Sequence, residues 1–251
     1  HSNRVLMKVI QKYGKNKNMQ KGICQLIKDT DRKYVDDLIK LDKYIDVIIP
    51  RGGEGLKKYI SSNSTVPMII TGSGLCHIFV DKGYDKAKAI DIIENAKVQR
   101  PGVCNAIETL LIHDDMKEIL IKDLVDYLKS KNVEIVGCKE TKKYAKGIKL
   151  ATEKDFNTEY LKLKLSIKVV KNVEEAIDHI NKYSTNHSES ILTNDYKASE
   201  EFLNRVDAST VYVNSSTRFT DGGQFGLGGE IGISTQKLHA RGPMGLKALT
   251  T

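Results

Sequence analysis

The strongest constraint on this chain is a rhythm. Short apolar runs of strand length alternate with amphipathic stretches of helical period along most of its 251 residues. Near the start, Val5, Leu6, Val9 and Ile10 make one apolar helical face, and 22–27 reads as a short strand. A second helix is expected from about Asp31, with Val35, Leu38 and Ile39 facing inward. A strand at 45–49, apolar but for Asp46, a helix near 55–61 and a strand at 67–71 complete this first series. Runs that are apolar on both faces suit strands covered by helices on both sides, so the order predicts a parallel sheet of Rossmann type. The series opens on a helix with no strand before it, so only part of such a sheet is expected here.

From His77 the pattern returns with longer connections. Strands are expected up to 80 and at 107–113, 133–136, 165–170, 189–193 and 210–213, with helices at 84–97, 116–131, 173–183 and 198–206. A lysine-rich loop should join the third and fourth of these strands. This is a second α/β unit, and Gly72 to Gly74 is the expected hinge between the two. Beyond 213 the chain is glycine-rich, with Gly222, Gly223, Gly226, Gly228 and Gly229 close together.

With 40% apolar residues the chain can bury a sizeable core. A net charge of +8 raises the question of nucleic acid, but the lysines are dispersed among acids, as in Lys139-Glu140-Thr141-Lys142-Lys143 and Glu153-Lys154-Asp155, which describes a solvated surface rather than a phosphate-binding groove. The four cysteines lie far apart with no C-x-x-C pair, so neither a zinc site nor a disulfide framework is expected and the thiols should be reduced. No apolar run is long enough to span a membrane and no secretory signal is visible, so the expected location is cytoplasmic.

Two segments carry chemistry. Ile49-Pro50-Arg51-Gly52-Gly53-Glu54-Gly55 lies between an expected strand and a helix, where glycines let the backbone approach a pyrophosphate at a helix N-terminus; an ordinary glycine-rich turn would look the same. In Gln99-Arg100-Pro101-Gly102-Val103-Cys104-Asn105-Ala106, Pro101 and Gly102 end a helix and leave Cys104 on an irregular turn, with Arg100 nearby to make an electropositive setting. A lone cysteine is more often buried and inert.

The wider sequence decides between these readings. Thr71-Gly72-Ser73-Gly74, the stretch around Cys104, the run from Tyr212 to Gly228 and the run from Ser234 to Leu246 together resemble the gamma-glutamyl-phosphate reductases, of the aldehyde dehydrogenase superfamily, and segment 45–53 fits the same family. The resemblance runs in order along the whole chain and covers rather more than the C-terminal half of a family member.

It implies an aldehyde-dehydrogenase-like α/β fold: part of a Rossmann-type nucleotide-binding domain at 1–72, a catalytic domain at 73–228, and a glycine-rich tail at 229–251 leading to an oligomerisation strand. It implies NADP(H) as cofactor and reduction of L-glutamyl 5-phosphate to L-glutamate 5-semialdehyde, with Cys104 as the nucleophile that forms a thioester. Pro50, Arg51, Gly52, Gly53, Gly72, Glu159 and Leu161 are then expected at the cofactor, Glu159 on the nicotinamide ribose. That carry-over rests on Glu159 to Ile167 resembling the superfamily's E-x-F-G-P-x-x-S, from which Lys162-Leu163 departs. Arg100, Asn105, Ser215, Ser216, Thr217, Arg218 and Arg241 are expected at the substrate, with Arg218 as carboxylate anchor and Arg100 and Arg241 toward the phosphate. His239, beside Arg241, is a further candidate. Hydrolytic superfamily members carry a glutamate base at the position of Ile70, so this site should spare its thioester for hydride transfer. A homo-oligomer is expected, with glutamate 5-kinase as a candidate partner. A reductase domain fused to a kinase, and a truncated piece without activity of its own, fit the same residues.

Overall fold

The computed structural model describes residues 2–20 and 22–250. The chain divides into two compact units, His1–Met68 and Ile69–Thr251. Among the described residues, no helix is long and apolar enough to cross a membrane.

The first unit holds α1 (Ser2–Lys15), α2 (Lys33–Leu38) and α3 (Glu54–Asn63). Ile39, Ile60 and Val66 are buried together in it. The strands expected at 22–27, 45–49 and 67–71 do not form ladders. Ile48 and Met68 meet in one isolated parallel bridge, and 22–27 pairs with nothing among the described residues. A strand exists through its neighbours' hydrogen bonds, and here the apolar runs find no flanking strands within the unit. The apolar face of α1 is likewise uncovered, with Leu6 60% exposed.

The second unit is built on seven parallel strands: β1 (Cys76–Val80), β2 (Ile107–His113), β3 (Glu134–Gly137), β4 (Lys149–Leu150), β5 (Lys164–Val170), β6 (Ser188–Leu192) and β7 (Thr210–Val213), in the order β4-β3-β5-β2-β1-β6-β7. Helices α4 (Lys86–Val98) and α5 (Lys117–Ser130) cover one face, where Ile78, Val80, Leu110 and Ile112 meet Ile93, Leu120 and Leu124. Helices α8 (Val173–Tyr183) and α9 (Tyr196–Arg205) cover the other, where Phe79, Leu111 and Ile191 meet Ile177, Ile180 and Phe202. Strands packed on both faces need apolar runs, which Ile78-Phe79-Val80 supply in the fully buried β1 and Leu110-Leu111-Ile112 in the fully buried β2.

The expected lysine-rich loop is more structured than its composition suggests. It contains α6 (Lys139–Tyr144), α7 (Glu153–Phe156) and β4. These elements are short and polar, and tertiary contacts hold them: Thr141 is buried and donates to the Ile167 carbonyl.

The boundary between the units falls a few residues before the expected glycine hinge. Thr71 bridges Ser234, and the Gly72 amide donates to the Ile233 carbonyl. Residues beyond 228 likewise fold into the second unit, where β8 (Ile233–Ser234) pairs antiparallel with β9 (Gly242–Pro243).

Candidate functional site

In a parallel sheet all the loops that enter strands lie at one edge. Cys104 precedes β2, Gly74 precedes β1, Glu159 precedes β5 and Thr185 precedes β6. Neighbouring strands in the order β5-β2-β1-β6 therefore bring four loops, distant in sequence, to one place. Open α/β sheets usually bind ligands at the opposite, C-terminal edge.

Cys104 lies on the turn between α4 and β2 and is half-buried. The fit of Gly74 against this turn is so close that a Cβ there would sit 1.5 Å from the Cys104 carbonyl oxygen and 2.7 Å from its Cα. Only glycine allows the two backbones to approach in this way. Thr185 clamps the same segment: its Oγ1 donates to the Ser73 carbonyl at 2.7 Å and accepts the Leu75 amide at 2.9 Å. Beneath the turn, the buried Cys76 Sγ lies 3.1 Å from the Cys104 carbonyl oxygen.

Glu159 is half-buried, and its Oε1 accepts the Gly74 amide at 2.6 Å. Burial pushes the Cys104 thiol above its ordinary pKa, and the negative charge of Glu159 adds to this. The thiol's own backbone amide pulls the other way, as does Arg218 more weakly. The raised thiol pKa comes first from burial, and the carboxylates Glu159 and Glu230 act in the same direction while Arg218 opposes them.

After β7 the chain reverses at Asn214, whose φ of 56 is left-handed, and runs back beside the sheet. The Ser215 carbonyl accepts from Ser190 Oγ at 2.7 Å, Thr217 Oγ1 donates to the Asn105 carbonyl at 2.7 Å, and Ser188 Oγ donates to Thr220 Oγ1 at 2.7 Å. This return path delivers Arg218 beside the Cys104 turn. Its Nε donates to Gln99 Oε1 at 2.9 Å, and one guanidinium nitrogen donates to Asn105 Oδ1. Arg218 is half-buried, and burial followed by the neighbouring charge of Arg100 lowers its pKa. The exposed Arg100 and the half-buried Arg218 are thus two cations that sense each other, with Asp221 as the nearby carboxylate that acts on Arg218. A small cleft of about 230 Å³ lies alongside, lined by Asn95, Gln99, Arg218, Phe219, Asp221 and Gln224.

Several expected substrate contacts have other work in this structure. Asn105 is buried and its amide donates to the Thr220 carbonyl at 2.9 Å, so it supports the Arg218 segment rather than facing solvent. Thr217 is fully buried, and Ser216 Oγ accepts the Arg218 amide. Arg241 is spent elsewhere: it pairs with Asp207 at 2.8 Å and donates to the Thr235 carbonyl at 3.0 Å, docking the tail before β7. His239 bonds the Ala248 carbonyl. Ser215 is half-buried near Arg218.

Of the expected cofactor residues, Gly72 packs against β8, with Thr235 Oγ1 3.2 Å from where its Cβ would stand. Leu161 is 46% exposed. In the first unit, Pro50 is buried, Arg51 and Gly52 are exposed, and Gly53 forms the N-cap of α3 without a side-chain cap. A Cβ at Gly53 would meet nothing within 4 Å. Ile70, expected at the place of the hydrolytic base, donates its amide to Gln236 Oε1. Thr185, Gln99, Cys76, Glu230 and the buried pair Lys97 and Glu108 are near the site but were not expected there; isolated polar residues carry no signal until the sheet order is known.

Residues 165–248 match the aldehyde dehydrogenase family. A gamma-glutamyl phosphate reductase of Caldanaerobacter subterraneus subsp. tengcongensis is 55% identical over all 251 residues, which span 61% of its length. A crystal structure of gamma-glutamyl phosphate reductase from Thermotoga maritima superposes with a TM-score of 0.96 at 50% identity, over 100% of this chain and 60% of that one. The fold extends to glyceraldehyde-3-phosphate dehydrogenase GapN from Methanocaldococcus jannaschii, at a TM-score of 0.71 and 17% identity, over 94% of this chain and 59% of that one. The chain thus spans about three fifths of the length of these gamma-glutamyl phosphate reductases.

Proposed function

We propose, for a chain that belongs to the aldehyde dehydrogenase superfamily and matches gamma-glutamyl phosphate reductases along its whole length, that it is the nucleophile-bearing part of an NADP(H)-dependent enzyme reducing L-glutamyl 5-phosphate to L-glutamate 5-semialdehyde and phosphate. The activity belongs to the full-length protein, as a step of proline biosynthesis in the cytoplasm, and is carried out by a homo-oligomer supplied with acyl phosphate by glutamate 5-kinase.

The observation that carries this reading is the convergence on Cys104 of the Gly74 backbone, the Glu159 carboxylate and the close cations Arg100 and Arg218. An acyl phosphate has its leaving group already activated, so Cys104, once deprotonated, attacks the acyl carbon, the carbon–oxygen bond to phosphate breaks, and a thioester forms. Arg218 and Arg100 suit the anionic ends of such a substrate, Arg218 held in orientation by Gln99 and Asn105. The nicotinamide cofactor supplies the hydride that reduces the thioester. Glu159, with one oxygen on Gly74, can turn the other to a ribose hydroxyl. Ile70 cannot activate water, which favours reduction over hydrolysis.

The test runs the reaction backward in the full-length protein. Glutamate semialdehyde should reduce NADP only when phosphate is present. Reduction at the same rate without phosphate would identify a water-using aldehyde dehydrogenase and defeat the proposal.

A further inference from the structure

A fully buried ion pair brackets the nucleophile's turn. Lys97, in the last turn of α4, and Glu108, at the start of β2, are both 0% exposed, and their charged atoms lie 2.6 Å apart. Lys97 Nζ also donates to the Ile107 carbonyl at 2.9 Å. Glu108 sits at a break in the sheet's register: Cys76 pairs with Ile107 but His77 with Thr109, so Glu108 is the extra residue of a bulge. Bulges re-aim side chains and occur beside active sites.

The second oxygen of Glu108 reaches another loop, accepting the Leu161 amide at 3.0 Å. Leu161 has φ 52, a left-handed conformation that is unfavourable for a bulky residue. Its side chain is 46% exposed, and its amide is tied to Glu108. Two residues earlier, Glu159 holds the Gly74 amide, and Gly74 abuts Cys104.

Stability gives little reason for this pair. Desolvating two charges offsets most of their attraction, and apolar residues of similar size often serve a core as well or better. Burial raises the Glu108 carboxyl to about 7 against the opposing pull of Lys97, and lowers the Lys97 pKa. Cys76, Glu159 and Tyr160 are the other titratable groups that sense or perturb this carboxylate.

We infer that Lys97 and Glu108 are a positioning pair for the reaction proposed above: by holding the Leu161 amide, Glu108 sets Glu159 against Gly74 and so fixes that carboxylate beside Cys104. The inference rests on that reading for its catalytic consequence and on geometry alone for its structural one.

Two double variants of the full-length protein separate positioning from packing. Lys97→Met/Glu108→Leu removes both charges and the acceptor for Leu161, whereas Lys97→Met/Glu108→Gln removes both charges and keeps an acceptor. The Leu variant should melt no lower than the parent, yet amide exchange in 158–163 should quicken about tenfold or more. Its kcat/KM should fall at least about tenfold, with a raised KM for cofactor. The Gln variant should regain most of both. Parent-like exchange and turnover in a folded Leu variant would overturn the inference, as would a Gln variant no better than the Leu variant. If the Leu variant does not fold, Glu108→Gln alone decides: exchange in 158–163 should stay within about threefold of the parent, and faster exchange at an unchanged melting point overturns the assignment. Exchange does not depend on turnover, so a parent without reductase activity would sink the proposed function while leaving this inference to the exchange result.

Discussion

The contact between Gly74 and the Cys104 turn makes Gly74→Ala a severe test of the site. The new Cβ would stand 1.5 Å from the Cys104 carbonyl oxygen and 2.3 Å from its carbonyl carbon. Relief requires the two backbones to separate by about 2 Å, since carbon and oxygen atoms pack near 3.5 Å. Neither side yields easily. Gly74 is followed by the fully buried β1 and held by Glu159 and Thr185, and Cys104 leads into the fully buried β2. Overpacking of this kind costs about 1–3 kcal/mol, which lowers the melting temperature by roughly 3–10 °C in a domain of this size. The effect on chemistry should be larger, because a displacement of about 1 Å in a reacting group can cost about 10²-fold. In the full-length protein, single-turnover release of phosphate from glutamyl phosphate should therefore slow by about 10²-fold or more, with cofactor absent so that only acyl transfer is read. Gly229→Ala is the control, since a Cβ there meets nothing within 4 Å, and it should match the parent in melting and acyl transfer. Parent-like melting and phosphate release in Gly74→Ala would refute the reasoning, because no folded arrangement with the two backbones this close could accept the methyl group.

Cys104→Ser should lose at least about 10³-fold in turnover while Cys24→Ala and Cys138→Ala stay near the parent; near-normal activity without the Cys104 sulfur would exclude the thioester. Because burial and Glu159 raise the Cys104 pKa, its thiolate fraction is small at neutral pH and climbs with pH until the raised pKa is passed. Alkylation of Cys104 by iodoacetamide, followed by peptide mass, should thus keep accelerating beyond pH 9, and a plateau below pH 8 would contradict the assigned environment. Arg218→Lys should raise the KM for acyl phosphate nearly as much as Arg218→Ala, about tenfold or more, since a lysine cannot contact Gln99 and Asn105 through a planar fork. Glu159→Gln should weaken cofactor binding, read by fluorescence titration, while phosphate release in a single turnover persists; the reverse pattern would make Glu159 part of acyl transfer.

Much of the second unit was legible in the residues alone. The expected strands at 107–113 and 210–213 and the helix at 173–183 coincide with β2, β7 and α8. Burial on both faces forces near-continuous apolar runs in the strands and a 3.6-residue period in the helices, and both signals are local. The nucleophile's turn was legible for the same reason, since Pro101 and Gly102 end a helix whatever surrounds them. The first unit shows the limit of such signals. Its runs at 45–49 and 67–71 have the composition of strands, but a ladder is a property of neighbours, and those segments meet through one bridge.

What only the tertiary structure decided is which residues share the site and what charge they present. The order β5-β2-β1-β6 brings Glu159, Cys104, Gly74 and Thr185 to one edge, and no local pattern encodes that order. The return of the chain after Asn214 places Arg218 at the turn, commits Asn105 and Thr217 to holding it there, and sends Arg241 to Asp207 instead. Burial and the charge of Glu159, which is far from Cys104 along the chain, raise the thiol pKa, and no local pattern shows this because desolvation and Coulomb energy depend on distance and burial, not on nearness in sequence. The sequence alone determined most elements of the second unit and the turn that carries Cys104; long-range packing determined the company that Cys104 keeps.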